Sequence, residues 1–238
     1  MDDMERYGDY NEIDESPNGN LPLTIIKILV CAICLLVAGV IAFRIVLFNY
    51  YPSSMRSLYV DDKLVAANTN GTLSIKTQDL RYGYDDPDLG NFFADYLYVV
   101  DELGRVQITL RCNVAIRDRL NSKYGKDTAP EGSELPFTFE LYRNNLSGTE
   151  GDGEYVFYER DKVGELVSVE KTTVFMYTYY RLVFDNVDFD GENGTDLVKW
   201  LSVAALVGDD VYTRILIYEN NETYSTFEDY EVTEGELK

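Results

Sequence analysis

The chain has 238 residues, a net charge of −21, three cysteines and no histidine. The lack of histidine excludes Ser-His-Asp and Cys-His catalysis, imidazole zinc sites and a histidine pH switch. A chain this acidic, with no localised basic patch in its sequence, does not grip nucleic acid backbones.

Residues 1–20 hold seven acids and only Arg6, and Pro17, Asn18 and Gly19 punctuate them. They read as a solvated, disordered acidic tail. The apolar run Leu21–Phe48 follows. Its uncharged centre, Ile28–Phe43, spans roughly 24 Å as helix, bracketed by Lys27 and Arg44. The apolar residues beyond Arg44 complete a crossing, provided that this side chain snorkels to the headgroups. Tyr50 and Tyr51 fit an aromatic belt, and Pro52 fits a helix end. A soluble helix is not apolar on every face, and a cleaved signal peptide carries a basic leader, not an acidic one. A single transmembrane helix is therefore expected over residues 21–51.

Cys31, Cys34 and Ala38 share one face of that helix, a face suited to contact within a membrane complex. The cations near the span nearly tie, with Arg6 and Lys27 on one side and Arg44, Arg56 and Lys63 on the other. The layout, a short tail and an anchor before a large β domain, is that of a signal anchor in the cell membrane with its C-terminal domain extracytoplasmic.

Residues 52–62 read as a short stalk and residues 63–238 as one domain. Residues 49–238 carry a net charge of −17, which favours a soluble domain standing off anionic headgroups. Cys112 is the only cysteine there, so the core must hold without an internal disulfide.

The pattern in this domain is that of β-strands. Asn70-Gly71, between Leu64–Thr69 and Thr72–Thr77, predicts a hairpin. Phe92–Val100 and Arg105–Val114 flank Asp101-Glu102-Leu103-Gly104. In the second of these, Val106, Ile108, Leu110, Cys112 and Val114 alternate with Arg105, Gln107, Thr109, Arg111 and Asn113, predicting an apolar face and a polar one. Ile116–Tyr124 reads as a short helix and Asp127–Glu134 as a loop. Alternation resumes at Leu135, Phe137, Phe139 and Leu141. Glu154–Tyr158 and Gly164–Val169 predict a second hairpin, and Thr172–Phe184 one long strand with a bulge near Asp185-Asn186. Leu197–Val207 fits strand or helix, and Val211–Tyr218 is a strand. Short strands at this spacing predict an antiparallel β-sandwich, immunoglobulin-like or jelly-roll-like. The Cys–Trp–Cys framework is absent, Trp200 being the only tryptophan.

The best metal candidate is Asn186-Val187-Asp188-Phe189-Asp190-Gly191, which places oxygen ligands and a glycine as a calcium loop opens. The bidentate Glu expected at position twelve is replaced by Leu197, leaving Asp196 and Glu192 as substitutes. Calcium on Asn186, Asp188, Asp190, Glu192 and Asp196 is the one cofactor the sequence offers; an acidic turn at a strand end is the plainer account. The Asp85-Asp86-Pro87-Asp88 loop reads as a turn or a recognition edge.

Twenty tyrosines, among them Tyr96, Tyr98, Tyr155, Tyr158, Tyr177, Tyr179, Tyr212 and Tyr218, fit half-buried strands or a row that contacts a glycan or protein. Sequons stand at Asn70, Asn145, Asn193 and Asn221, and matter only in a secretory-pathway host. Carboxylates are so abundant that neighbouring pairs do not mark a glycosidase. The expectation is a non-catalytic, membrane-anchored domain that binds an envelope glycan or protein. The alternatives are a structural or accessory subunit assembled through the helix, and a calcium-stabilised adhesion module.

Overall fold

The computed structural model describes residues 21–69, 73–83, 92–129, 134–150, 155–189, 201–217 and 228–232. The chain forms two compact units, Met1–Tyr50 and Tyr51–Lys238. In the first, α1 runs from Leu21 to Asn49. Its apolar side chains, including Leu29, Leu35, Leu36 and Val46, stand exposed, apart from Leu47 near its end. A helix apolar on every face and exposed along most of its length is compatible with a membrane anchor. It is long and apolar enough to cross a membrane.

The second unit is mostly β. One sheet holds β1 (Ile75–Gly83), β2 (Phe92–Val100), β3 (Arg105–Asn113), β6 (Glu165–Val174), β7 (Tyr177–Asp185) and β10 (Glu228–Asp229) in the order β10-β1-β2-β3-β7-β6. The other holds β4 (Thr138–Glu150), β5 (Tyr155–Lys162), β8 (Leu201–Val207) and β9 (Asp210–Leu216) in the order β5-β4-β8-β9. Every pairing is antiparallel. Val106, Ile108, Leu110 and Cys112 of β3 join Phe139 and Leu141 of β4, Val203 of β8 and Ile215 of β9 in one buried apolar cluster. Each such side chain contributes roughly 1.5–3 kcal/mol on burial.

The β2–β3 connection follows the expectation. A 3-10 turn at Asp101–Leu103 closes on Gly104, at φ 54°. Cys112 is buried on the apolar face as its register predicts, and burial pushes its thiol up. The short helix also forms, as α4 (Arg117–Tyr124).

Three expectations are corrected. Leu64–Thr69 is not a strand but belongs to helix α3 (Asp62–Thr69). Asp61 starts it, its Oδ1 accepting from the Leu64 amide at 3.0 Å, and Val65-Ala66-Ala67 continue it. Asn70-Gly71 lies outside the described residues. Next, β5 and β6 form no hairpin. β5 pairs with β4, and β6 with β7, so Val163-Gly164 carries the chain from one sheet to the other. Gly164 sits at φ 66°, where an added Cβ would lie 2.9 Å from the Asp185 carbonyl oxygen. Finally, Thr172–Phe184 is not one strand. It breaks at Phe175-Met176, a two-residue turn with Phe175 at φ 54° and none of the usual turn residues. The register shift lies at Leu166/Ser168 on β6. At Asn186, φ 60°, β7 ends, and the Val187 amide then bonds the Gly104 carbonyl at 2.8 Å.

The polar face of β3 departs from the reading most. Arg105, Gln107, Thr109 and Arg111 are all buried. Residues 52–61, expected as stalk, lie across them with the short helix α2 (Ser53–Arg56), and so does Tyr51, expected in the aromatic belt of the helix, because its ring packs on Arg111 and Tyr179.

Candidate functional site: a strap over a polar sheet face

An arginine on a strand is buried only when its charge is met. Arg105, fully out of water, is met twice. Its Nε donates to Asp185 Oδ1 at 2.6 Å and its Nη2 to Asp185 Oδ2 at 3.1 Å. Nη1 and Nη2 also donate to the two carboxylate oxygens of Asp61, at 3.0 and 2.7 Å. Lys63 completes the group with a 3.0 Å bond to Asp185 Oδ2. Burial, the largest single influence, would raise the Asp61 and Asp185 carboxyls, but Arg105 and Lys63, with the Leu64 amide at Asp61, together outweigh it and hold both below the usual range. The same bonds lift Arg105 against its own burial. These carboxylates stay ionised at neutral pH and act as anions for Arg105, not as proton donors.

Along β3 the next side chains hold the strap by its backbone. Gln107 accepts from the Tyr59 amide at 2.7 Å and donates to the Ser57 carbonyl at 2.8 Å. The Thr109 hydroxyl donates to the Met55 carbonyl at 2.7 Å. From β7, Arg181 donates to the Ser54 and Ser57 carbonyls at 2.9 and 3.1 Å and pairs with Glu170 of β6. From β2, the Tyr98 hydroxyl donates to the Arg56 carbonyl at 2.9 Å. Asp95 takes both Arg56 bonds at 2.5 Å. Burial pushes the Asp95 carboxyl up in spite of Arg56, while that hydrogen-bonded pairing raises Arg56.

Arg111 sits among rings. Its guanidinium carbon is 4.9 Å from the Tyr51 ring centre, 5.0 Å from Phe93 and 4.8 Å from Tyr177. Tyr51 meets Tyr179 edge-on at 5.3 Å. Cation–π contacts of this kind are worth about 2 kcal/mol when desolvated. The tyrosines on these strands are therefore packing: Tyr98, Tyr177 and Tyr179 are buried, and Tyr96 and Tyr212 half-buried. The side chains of Tyr155, Tyr158 and Tyr218 lie outside the description.

A second feature is a cleft of about 300 Å³ beside the β5–β6 link. Phe139, Leu141, Leu166 and Phe184 line it, with Glu140, Lys162 and Glu165. Lys162 donates to Glu140 at 2.5 Å, as does Tyr142. These bonds, the lysine's first, hold the Glu140 carboxyl down.

Of the calcium-loop residues, Asn186 and Asp188 are described and both are exposed. Asn186 donates to Glu165 at 3.2 Å, and the Asp188 carbonyl accepts from Arg143 at 3.2 Å. Asp190, Glu192 and Asp196 lie outside the described residues, as do the Asp85–Asp88 loop and Trp200. Among the described residues no group of three or more Cys, Asp or Glu is placed to hold a metal ion.

Sequence reasoning missed Asp61, Asp95 and Asp185. Their partners are 44, 39 and 80 residues away in the chain. One signal was present: β2 and β7, the neighbours of β3, are rich in apolar and aromatic residues on both faces, the pattern of a sheet covered on both sides. No protein-family model, curated protein or solved structure matches the chain.

Proposed function

We propose that this chain is a non-catalytic, single-pass membrane protein. It displays its acidic two-sheet domain outside the cell membrane as a binding module for an envelope glycan or a protein. We take the pair of sheets, which share one apolar cluster, as a β-sandwich of immunoglobulin-like or jelly-roll-like kind. The observation that carries the reading is α1, whose exposed apolar side chains suit lipid on every side. The strap supports it: it spends three buried arginines, Arg105, Arg111 and Arg181, on holding residues 51–61 against the sheet. A module seated in this way is built to present a fixed surface.

The test is protease accessibility in intact cells, read with an antibody to the C-terminal domain. Digestion of the domain with the cytosol sealed is the expected result. Protection until lysis would place the domain in the cytosol and overturn the reading. Cross-linking of native membranes through Cys31 or Cys34 to another protein would instead move the working interface to the helix.

A further inference from the structure

In the described part of the second unit, four large apolar side chains stand in solvent: Val167, Val169, Phe175 and Val211, exposed by 44, 43, 70 and 38 %. Three of them belong to β6 and the turn after it. Among the described residues β6 is also the outer strand of its sheet, with ten residues and one side unpaired. A long edge carrying exposed apolar residues is a template for another strand.

We propose that β6 is where two copies of this chain join, antiparallel, about a two-fold axis normal to the sheet. Such an axis keeps each face of the sheet on its own side. A residue can then meet only one that points the same way, and odd numbers pair with odd. Val169, Lys171 and Thr173 lie opposite Leu182, Tyr180 and Thr178, so they share one face. The two-residue turn fixes the backbone as well. Val174 and Tyr177 flank it and bond each other, so Thr173, Lys171 and Val169 turn their amides and carbonyls to the free edge.

The charges then select the register. An axis at Glu170 would set Glu170 against itself, and one at Lys171 would set Lys171 against itself; like charges directly opposite are destabilising. An axis at Val169 or earlier would draw the register shift at Leu166/Ser168 into the ladder. An axis at Thr173 would put Lys171 against Phe175. An axis at Thr172 avoids all of these. It pairs Thr172 with its own copy, Lys171 with Thr173 and Glu170 with Val174, and it brings Val169 beside the turn residue Phe175. The edge is self-complementary there, because each exposed Val169 comes next to the other copy's exposed Phe175. Glu170 and Lys171 keep their own partners, Arg181 and Glu134. Two six-stranded sheets would become one continuous sheet.

The test uses the full chain in membranes and in detergent, with Cys31→Ser and Cys34→Ser removing the two exposed thiols. Thr172→Cys on this background is expected to give a disulfide-linked dimer on mild oxidation, since directly opposite strand residues lie within disulfide reach. Glu170→Cys and Val174→Cys are each expected to stay monomeric alone and to link when the two are mixed. Phe175→Asp is expected to lower the cross-linked fraction at least tenfold. A monomeric mass in detergent with no link at Thr172 would overturn the proposal. So would self-linking at Glu170 or Lys171 without Thr172, or capture of a different protein by Thr172→Cys. None of these outcomes depends on which side of the membrane the domain occupies.

Discussion

Arg105 grips Asp185 through two bonds, of 2.6 and 3.1 Å, with both side chains almost wholly out of water. The pair joins adjacent strands β3 and β7, and Asp61 ties it to the strap. Replacing Arg105 by methionine strands the buried Asp185 with Lys63 alone. A loss of about 3–5 kcal/mol at neutral pH is expected, the usual cost of breaking a buried pair. Asp61 and Asp185 titrate below their ordinary range when folded. The stability they add is therefore complete above the unfolded carboxylate value of about 3.9 and is lost as pH falls through the lower folded values. Urea midpoints of the native chain and the Arg105→Met chain should lie far apart at neutral pH and converge in strong acid.

Arg56 and Asp95 should respond unequally. The Arg56 side chain is 37 % exposed and Asp95 only 2 %. Removing the arginine, as Arg56→Met, leaves a carboxylate in a buried site that already disfavours its charge. Removing that charge, as Asp95→Asn, leaves an arginine that can reach water. Thermal unfolding should show the first variant to be the weaker of the two.

Gln107 is a test of the strap itself. Its amide group satisfies one donor and one acceptor of the strap backbone. Gln107→Leu leaves both without that partner, at about 1–3 kcal/mol for each group that remains buried. Hydrogen exchange should show the Tyr59 amide protected in the native chain and opened in this variant, with β8 and β9 unchanged.

Gly104 fixes the turn between β2 and β3 at a left-handed φ of 54°. A Cβ there would stand 2.6 Å from the Val187 carbonyl oxygen. Gly104→Ala combines that overlap with the left-handed penalty of about 1–2 kcal/mol. A lowered melting temperature and a reduced yield of folded chain are the expected outcomes.

The sequence made the apolar half of the fold legible because period-two alternation is local. It found β2, β3, the start of β4 and the core position of Cys112. The same alternation cannot say what covers a polar face. Arg105, Gln107, Thr109 and Arg111 read as a solvent face, yet they are buried, because a second stretch of chain brings them carbonyls, an amide, carboxylates and rings. The apolar residues on both faces of β2 and β7 hint at a cover, but only tertiary pairing reveals which stretch supplies it. The Phe175 turn was hidden for a different reason: a phenylalanine at φ 54° is held by the ladder on both sides of it, not by its own preference. Leu64–Thr69 reads as half of a hairpin because Asn70-Gly71 is a strong local signal, whereas the bond that starts α3 comes from Asp61, three residues before Leu64.

The strap also sets an order of assembly. Residues 51–61 leave the ribosome before any strand of the sheet they cover. Their partner Arg181 lies 124 and 127 residues later than the groups it holds, and Arg105 lies 44 residues after Asp61. Contacts between such distant positions form slowly, since the intervening chain must close a loop before they add any stability. The bonds to Arg181 are thus the last that the strap can make. A nascent chain halted before β7 would lack Arg181 for the strap and Asp185 for Arg105.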